Sequence, residues 1–177
     1  LQEKGLNPGD EVIFQFQSNR SFVITFWACV LGGFIPVPVV LGTTSDIVKK
    51  LIKVWGKLKN PYIITDAPFL KSIITNFNLE NDDEAKEILS KFIYYDELVF
   101  AQKGTIVPST SSDLVFIQFS SGSTGSPKGV MNRQDGILYN INMSIEKCNI
   151  QESDTFLGWM PLTHDMGLIF FHILPLL

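Results

Sequence analysis

The chain has 177 residues, of which 45% are hydrophobic and only 18% are charged. This length suffices to bury a sizeable core, either as one domain or as a part of a larger one. A net charge of −4, without a cluster of lysines and arginines interleaved with aromatic residues, gives no basic field for nucleic acid. We therefore expect no nucleic-acid partner.

Strand-like runs alternate with helical stretches along the chain. The predicted strands cover residues 11–17, 34–40, 61–65, 91–95, 113–119 and 155–159. Such alternation predicts an α/β fold with a largely parallel sheet that is flanked by helices. Residues 103–112 carry Gly, Pro and hydroxyl side chains with little apolar periodicity, and form the best candidate for a linker.

The first long apolar stretch, residues 22–41, contains no charged residue and has the length of about 20 residues that a membrane-spanning helix needs. A Gly-Gly pair and two prolines interrupt it, and a continuous helix would break there. We therefore expect a buried helix over 19–31 and then a buried strand, with no membrane span. No basic segment precedes the stretch, which argues against a signal peptide.

A helix is predicted from residue 44 or 45 to about 58, because capping residues precede it and Asn60-Pro61 follows. Its lysines lie at helical spacing opposite apolar residues, which indicates a solvated face rather than a binding patch. These lysines are Lys49, Lys50, Lys53, Lys57 and Lys59. Residues 78–84 are polar and acidic, and predict a surface loop before a short amphipathic helix.

The two cysteines, Cys29 and Cys148, lie far apart within predicted helices and have no C-x-x-C partner. We interpret them as reduced core thiols of a cytoplasmic protein. His164 and His172 are eight residues apart with no Cys or Glu at ligand spacing, so a dedicated zinc site is not expected.

A loop rich in glycine and hydroxyl groups follows the apolar strand at 113–119. It reads S-S-G-S-T-G-S-P-K-G over residues 120–129. Glycines let backbone N–H groups approach an anion, hydroxyls add donors, and a lysine supplies positive charge, so this loop has the chemistry of a phosphate site. Open α/β sheets bind ligands at the carboxyl ends of their strands, where this loop lies. A run of this composition can also be a flexible surface loop.

The spacing of the loop excludes two common phosphate motifs. A Walker loop needs its second glycine where Pro127 stands and a Ser or Thr where Gly129 stands. A dinucleotide fingerprint needs G-x-G-x-x-G, and neither Gly122 nor Gly125 has a glycine two positions before it.

The loop instead resembles the phosphate-binding signature of the adenylate-forming superfamily, which comprises acyl-CoA synthetases, fatty-acyl-AMP ligases and adenylation domains of nonribosomal peptide synthetases. The resemblance implies that a substrate carboxylate attacks the α-phosphate of ATP, held with Mg²⁺, to give an acyl-adenylate and pyrophosphate. It also implies roles for the loop: phosphate binding by its hydroxyls and glycines, with Thr124 near Mg²⁺, and charge neutralisation by Lys128. The binding residues so implied are Ser120, Ser121, Gly122, Ser123, Thr124, Gly125 and Lys128, with Lys128 and Thr124 as catalytic residues.

A second segment, FLGWMPLTHDMGL at 156–168, carries apolar side chains around a polar His164-Asp165 pair. By chemistry alone, His164 could also be a satisfied histidine at a strand-to-helix corner, with Asp165 as the helix N-cap. The pattern resembles the segment bordering the acyl pocket in fatty-acyl-AMP ligases and in loading domains of hybrid polyketide/nonribosomal peptide synthetases. It implies a medium or long fatty acid as substrate, and a pocket containing Trp159, Pro161, His164, Asp165 and Met166.

The N-terminal third, with GLNPGD at 5–10 and GGFIPVP at 32–38, resembles the early part of the same superfamily. The chain is thus expected to be a partial N-terminal AMP-binding domain over residues 1–177, inactive alone, that lacks the adenine, ribose and C-terminal lysine sites. Arg133-Gln134 stands where the family often carries Thr-His. The complete enzyme is expected to be an acid–thiol ligase whose acceptor is CoA or the phosphopantetheine of an acyl carrier protein.

Two further functions stay open at this point. An amino-acid-activating adenylation domain would share the phosphate loop, and a non-catalytic nucleotide-binding module would bind ATP without acid-dependent turnover. A kinase or ATPase is disfavoured by the spacing of the loop.

Overall fold

A parallel sheet forms the centre of the fold. The computed structural model describes residues 1–40, 44–66, 83–98, 103–120 and 126–177. Strands β1 (Glu11–Gln15), β2 (Ile35–Pro38), β3 (Tyr62–Thr65) and β4 (Phe92–Tyr94) lie in the order β2-β1-β3-β4, and every pair is parallel. The predicted α/β fold with a largely parallel sheet is therefore confirmed.

Helices cover both faces of this sheet. Adjacent residues of each strand point to opposite faces, so each strand contributes side chains to two cores. Phe14 joins one core with α1 (Asn19–Gly32), while Ile13 joins a second core with α2 (Ser45–Trp55) and α3 (Asp83–Ser90). None of the described helices is long and apolar enough to cross a membrane.

The predicted first strand ends two residues early, at Gln15, for a visible reason. The carboxylate of Asp66, just after β3, accepts hydrogen bonds from the backbone amides of Gln17 and Ser18 at 2.8 and 3.2 Å. Ser18 then caps α1 by accepting from Ser21 N, and Gly33, in the left-handed conformation (φ 76°), ends the helix. The chain thus turns from strand to helix without leaving these amides unpaired.

The lysine-rich helix α2 is shorter than predicted and ends at Trp55, before Gly56. Lys49 and Lys53 are exposed while Val48, Leu51 and Val54 are buried, so the predicted solvated face is confirmed. The short amphipathic helix is α3; the predicted loop before it, 78–84, falls mostly outside the described residues.

An antiparallel hairpin lies beside the parallel sheet. It consists of β5 (Leu114–Ser120) and β6 (Lys128–Arg133), and Cα atoms of β5 come within 8 Å of edge strand β2. Helix α4 (Gln134–Cys148) follows, and further on a π-helix, Met166–Ile173, and a 3₁₀ turn, Leu174–Leu176. Strand β6 was not among the predicted strands, since most of its side chains are exposed and show no alternation.

Two predictions are wrong. Residues 155–159 form no strand, and their apolar side chains have little surface to pack on: Leu157 and Trp159 are 87% and 90% exposed. Cys148 is exposed near the end of α4 rather than in the core. Cys29 is buried as predicted, and burial holds the pKa of its thiol far above the ordinary value, which keeps it protonated.

Candidate functional site

The predicted phosphate loop connects the two strands of the hairpin. Ser120 stands opposite Lys128 in the β5–β6 ladder, and Ser120 Oγ donates a long hydrogen bond of 3.5 Å to the backbone oxygen of Lys128. The ladder thus fixes both ends of the loop side by side. The other predicted phosphate residues, Ser121, Gly122, Ser123, Thr124 and Gly125, lie outside the described residues.

The Pro-Lys-Gly ending of the loop has a local structural explanation. Pro127 is buried, whereas Lys128 is exposed and forms no ion pair with any described residue. A Cβ atom on Gly129 would lie 3.1 Å from both Ile117 Cγ2 and Phe119 Cζ, so a side chain fits poorly there. The chain therefore presents the Lys128 ammonium group at the mouth of the hairpin, between the buried Pro127 and a glycine with little room for a side chain.

A hydrogen bond joins this hairpin to the second predicted segment. Gln118 Nε2 donates to the backbone oxygen of Thr163 at 2.9 Å, next to His164. Gln118 was not singled out from the sequence, although a polar amide within the apolar run DLVFIQF was a usable signal. The bond places the phosphate-loop strand and the His164-Asp165 corner in one structural unit.

The corner itself is a tight turn that leads into the π-helix. His164 N donates to Pro161 O at 2.9 Å, and the Asp165 carboxylate accepts from Met166 N at 2.8 Å, as an N-cap does. His164 Nδ1 lies 2.6 Å from Asp165 Oδ1 and also accepts a long hydrogen bond of 3.3 Å from Met166 N. Since Asp165 occupies Nδ1, Nε2 is the imidazole nitrogen that can meet a ligand.

Gly167 allows this turn to close. A Cβ atom at Gly167 would lie only 2.1 Å from Pro161 O and 2.8 Å from Met160 O. Any side chain would force the turn open, so the geometry of the corner requires glycine at this position.

A groove of about 980 Å³ runs between β6, α4 and the start of the π-helix. Two of the five predicted pocket residues, Asp165 and Met166, line it. Trp159, Pro161 and His164 are exposed but do not line it. The remaining wall is mixed: it combines Met131, Ile137, Tyr139, Ile169 and Phe170 with the polar side chains of Asn132, Arg133, Asp135 and Asn140.

The rim of this groove carries an ion pair at the position where the sequence departs from the family pattern. Arg133 Nη2 lies 2.7 Å from Asp135 Oδ2, and both side chains line the groove. Gln134, the neighbour of Arg133, begins α4. Among the described residues, no group of three or more His, Cys, Asp or Glu side chains could hold a metal ion.

Comparison with known proteins agrees with the family resemblance of the sequence motifs. A family model described as "AMP-binding enzyme" matches residues 1–177. A putative acyl-CoA synthetase of Caulobacter vibrioides is 29% identical over 97% of this chain and 30% of its own length. The chain thus spans less than a third of the length of the curated relatives it matches.

Two solved structures carry the same fold. The adenylation domain of a keto acid-selecting nonribosomal peptide synthetase module, bound to keto acyl adenylate, has a TM-score of 0.85 and 31% identity, with coverage of 98% of this chain and 31% of that one. A fatty acid AMP ligase from Legionella pneumophila has a TM-score of 0.80 and 26% identity, with coverage of 98% and 29%.

Proposed function

Because this chain belongs to the family of AMP-binding, adenylate-forming enzymes, we propose that the complete protein containing it is an AMP-forming acid–thiol ligase. In the first step, a carboxylate oxygen of the acid bonds to the α-phosphorus of Mg-ATP, and the bond from that phosphorus to the bridging oxygen breaks. The products are acyl-adenylate and pyrophosphate. In the second step a thiol attacks the acyl carbon and releases AMP.

The observation that best supports this proposal is the position of Lys128. The ladder holds it opposite Ser120 at the mouth of the hairpin, exposed and without an ion pair to any described residue. An ammonium group at that position suits the extra negative charge of a departing pyrophosphate. Catalysis of this step consists mostly of positioning and charge stabilisation, which such a group supplies.

The roles of the loop residues complete the proposal. Ser120, Ser121, Ser123 and Thr124 would donate hydrogen bonds to phosphate oxygens, and Thr124 would help to hold the Mg²⁺ that accompanies ATP. The loop glycines would let backbone N–H groups approach the phosphates. Ser120 ends β5, and the other residues follow it in the sequence, so we propose that a phosphate there meets several backbone amides at once.

For the acid, we propose that the groove beside Asp165 and Met166 receives an apolar acyl chain. Its volume of about 980 Å³ lies within the usual span of ligand pockets, roughly 300–1,000 Å³. Its apolar side chains, among them Ile137, Ile169 and Phe170, offer contacts for the chain of a medium or long fatty acid. The Legionella fatty acid AMP ligase, with the same fold, supports this choice.

A second candidate substrate is an amino or keto acid. The adenylation domain bound to keto acyl adenylate matches this chain with a TM-score of 0.85, which favours a small acid joined to a peptide synthetase module. In either case we propose that the acyl acceptor is the phosphopantetheine of a carrier protein or CoA. The cytoplasmic location and the absence of a nucleic-acid partner stay predictions.

Nucleotide analysis tests the reaction type. The complete protein is incubated with Mg-ATP, one acid at a time and a thiol acceptor, and nucleotides are separated by chromatography. We expect acid-dependent formation of AMP and pyrophosphate in equal amounts. ADP as the product would instead indicate a kinase or ATPase, and ATP binding without acid-dependent turnover would indicate a binding module.

A further inference from the structure

Trp27 and His172 lie far apart in the sequence but form a hydrogen bond. Trp27 Nε1 donates to His172 Nε2 at 3.0 Å, and both side chains are half-buried. Because a protonated Nε2 cannot accept, His172 is a neutral imidazole with its proton on Nδ1. Burial lowers the pKa of His172, which favours the same neutral form.

This bond holds the end of an unusual helix. His172 is in the last turn of the π-helix Met166–Ile173, which begins directly after the His164-Asp165 corner. π-helices are rare, occur mostly as single turns and are frequent at functional sites. An eight-residue π-helix therefore depends on tertiary contacts for its position, and the Gln118–Thr163 bond supplies one just ahead of its start.

The aromatic rings around His172 extend the contact to the phosphate-loop strand. The Phe26 ring of α1 packs edge-on against both His172, at 6.5 Å between centroids, and Phe116 of β5, at 5.9 Å. Phe26 and Phe116 are fully buried. The end of the π-helix, α1 and β5 thus meet in one cluster of rings, to which the Trp27–His172 bond adds the polar contact.

We propose that Trp27 and His172 are positioning residues for the acid-binding half of the site. Their hydrogen bond holds the π-helix against α1 and so sets where Asp165 and Met166 border the groove. Neither Trp27 nor His172 lines the groove, so they act on the acid through the helix. The inference rests on the proposed function, because it assigns the acid to this groove.

Variants that change only one partner test the proposal in the complete protein. His172→Phe keeps a ring but removes the acceptor, Trp27→Phe keeps a ring but removes the donor, and His172→Gln restores an acceptor oxygen near the position of Nε2. Trp55→Phe is the matched control, because it makes the same change in the other core.

We expect His172→Phe and Trp27→Phe to raise the KM for the acid about fivefold, which is the change in affinity that corresponds to the loss of one neutral hydrogen bond. The kcat and the KM for ATP should stay at their wild-type values. The double variant should be no worse than either single variant. His172→Gln and Trp55→Phe should resemble wild type. An unchanged KM for the acid, a parallel rise of both KM values, or no rescue by glutamine would overturn the proposal.

A measurement that needs no turnover separates this inference from the proposed function. In ¹⁵N-tryptophan-labelled protein, the Trp27 indole N–H resonance, identified by its loss in Trp27→Phe, should shift in His172→Phe and stay near its wild-type position in His172→Gln. A resonance that does not move in His172→Phe contradicts the hydrogen bond itself. Absence of turnover with every acid in the wild type contradicts the proposed function instead.

Discussion

Replacing Gly167 by alanine places a methyl group where the backbone leaves no room. Its Cβ would lie 2.1 Å from Pro161 O, 2.7 Å from Pro161 C and 2.8 Å from Met160 O. Carbon atoms in ordinary contact are about 3.5–4.0 Å apart, so the turn before the π-helix must open by about 1 Å or more. The obstacle is backbone rather than a flexible side-chain end, and therefore cannot rotate away.

Overpacking of this kind costs typically about 1–3 kcal/mol, and a backbone clash belongs at the upper end. We predict that Gly167→Ala lowers the free energy of unfolding by about 3 kcal/mol in urea denaturation of the complete protein. The KM for the acid should rise as well, because Asp165 and Met166 move with the turn.

Gly136→Ala is the matched control for stability. A Cβ at Gly136, in the first turn of α4, meets no atom within 4 Å. Its unfolding free energy should rise by about 0.5 kcal/mol, since alanine restricts the unfolded chain without strain in the folded one. If Gly167→Ala proved as stable as Gly136→Ala, the tight turn described for this corner would be wrong.

Three further predictions concern the loop, the hydrogen bond that links β5 to the His164-Asp165 corner, and the half-buried His172. Lys128→Ala should raise the barrier to adenylation by about 2–4 kcal/mol in single-turnover assays. The control Lys53→Ala, on the solvated face of α2, should leave the adenylation rate unchanged. If the two variants adenylate at the same rate, Lys128 is not part of the site. Gln118→Leu should lower the unfolding free energy by about 1 kcal/mol, because Thr163 O loses its donor, and no loss in urea denaturation would refute the link. Burial lowers the pKa of His172 below its ordinary value of 6.5, so between the two pKa values the unfolded chain binds more protons than the folded one. Stability should therefore fall as pH drops from 6.5 through the folded pKa, and His172→Gln should remove that part of the pH dependence; an identical pH profile in the variant would contradict it.

Much of the central sheet followed from local patterns. Strands β1 to β4 of this sheet were predicted because each contains a short apolar run, which a sheet covered on both faces buries. Strand β5 of the hairpin was predicted from the same signal, although it is only partly buried. Helix α1 was predicted within one residue of its observed bounds, since Gly32-Gly33 marks its end. These features depend on nearby residues, which a single sequence displays.

The errors and omissions arise where contacts are distant or absent. Strand β6 carries exposed side chains without alternation, so only its pairing with β5 reveals it. Residues 155–159 look like a strand but pair with no described strand. The hydrogen bond between Trp27 and His172 joins residues that are far apart in the sequence, where helix and strand periodicity say nothing about contacts. No sequence pattern could therefore indicate it.

The candidate site also has features that the sequence predicted and features that only the folded structure reveals. The spacing of residues 120–129 predicted a phosphate loop, and the fold places Ser120 and Lys128 side by side at its ends; the phosphate role stays a prediction. The sequence also offered the N-cap role of Asp165 as an alternative, and the hydrogen bond from Met166 N confirms it. The need for glycine at position 167 depends on where Pro161 lies after the chain has turned, which is a property of the folded backbone.

Acid-dependent exchange of label between pyrophosphate and ATP tests the central claim most directly. The complete protein is assayed with fatty acids of several chain lengths, amino acids and keto acids, and with Lys128→Ala alongside. We predict exchange that requires a medium or long fatty acid and falls sharply in Lys128→Ala. Exchange with amino or keto acids alone would contradict the fatty-acid assignment, and no exchange with any acid would contradict acyl-adenylate formation.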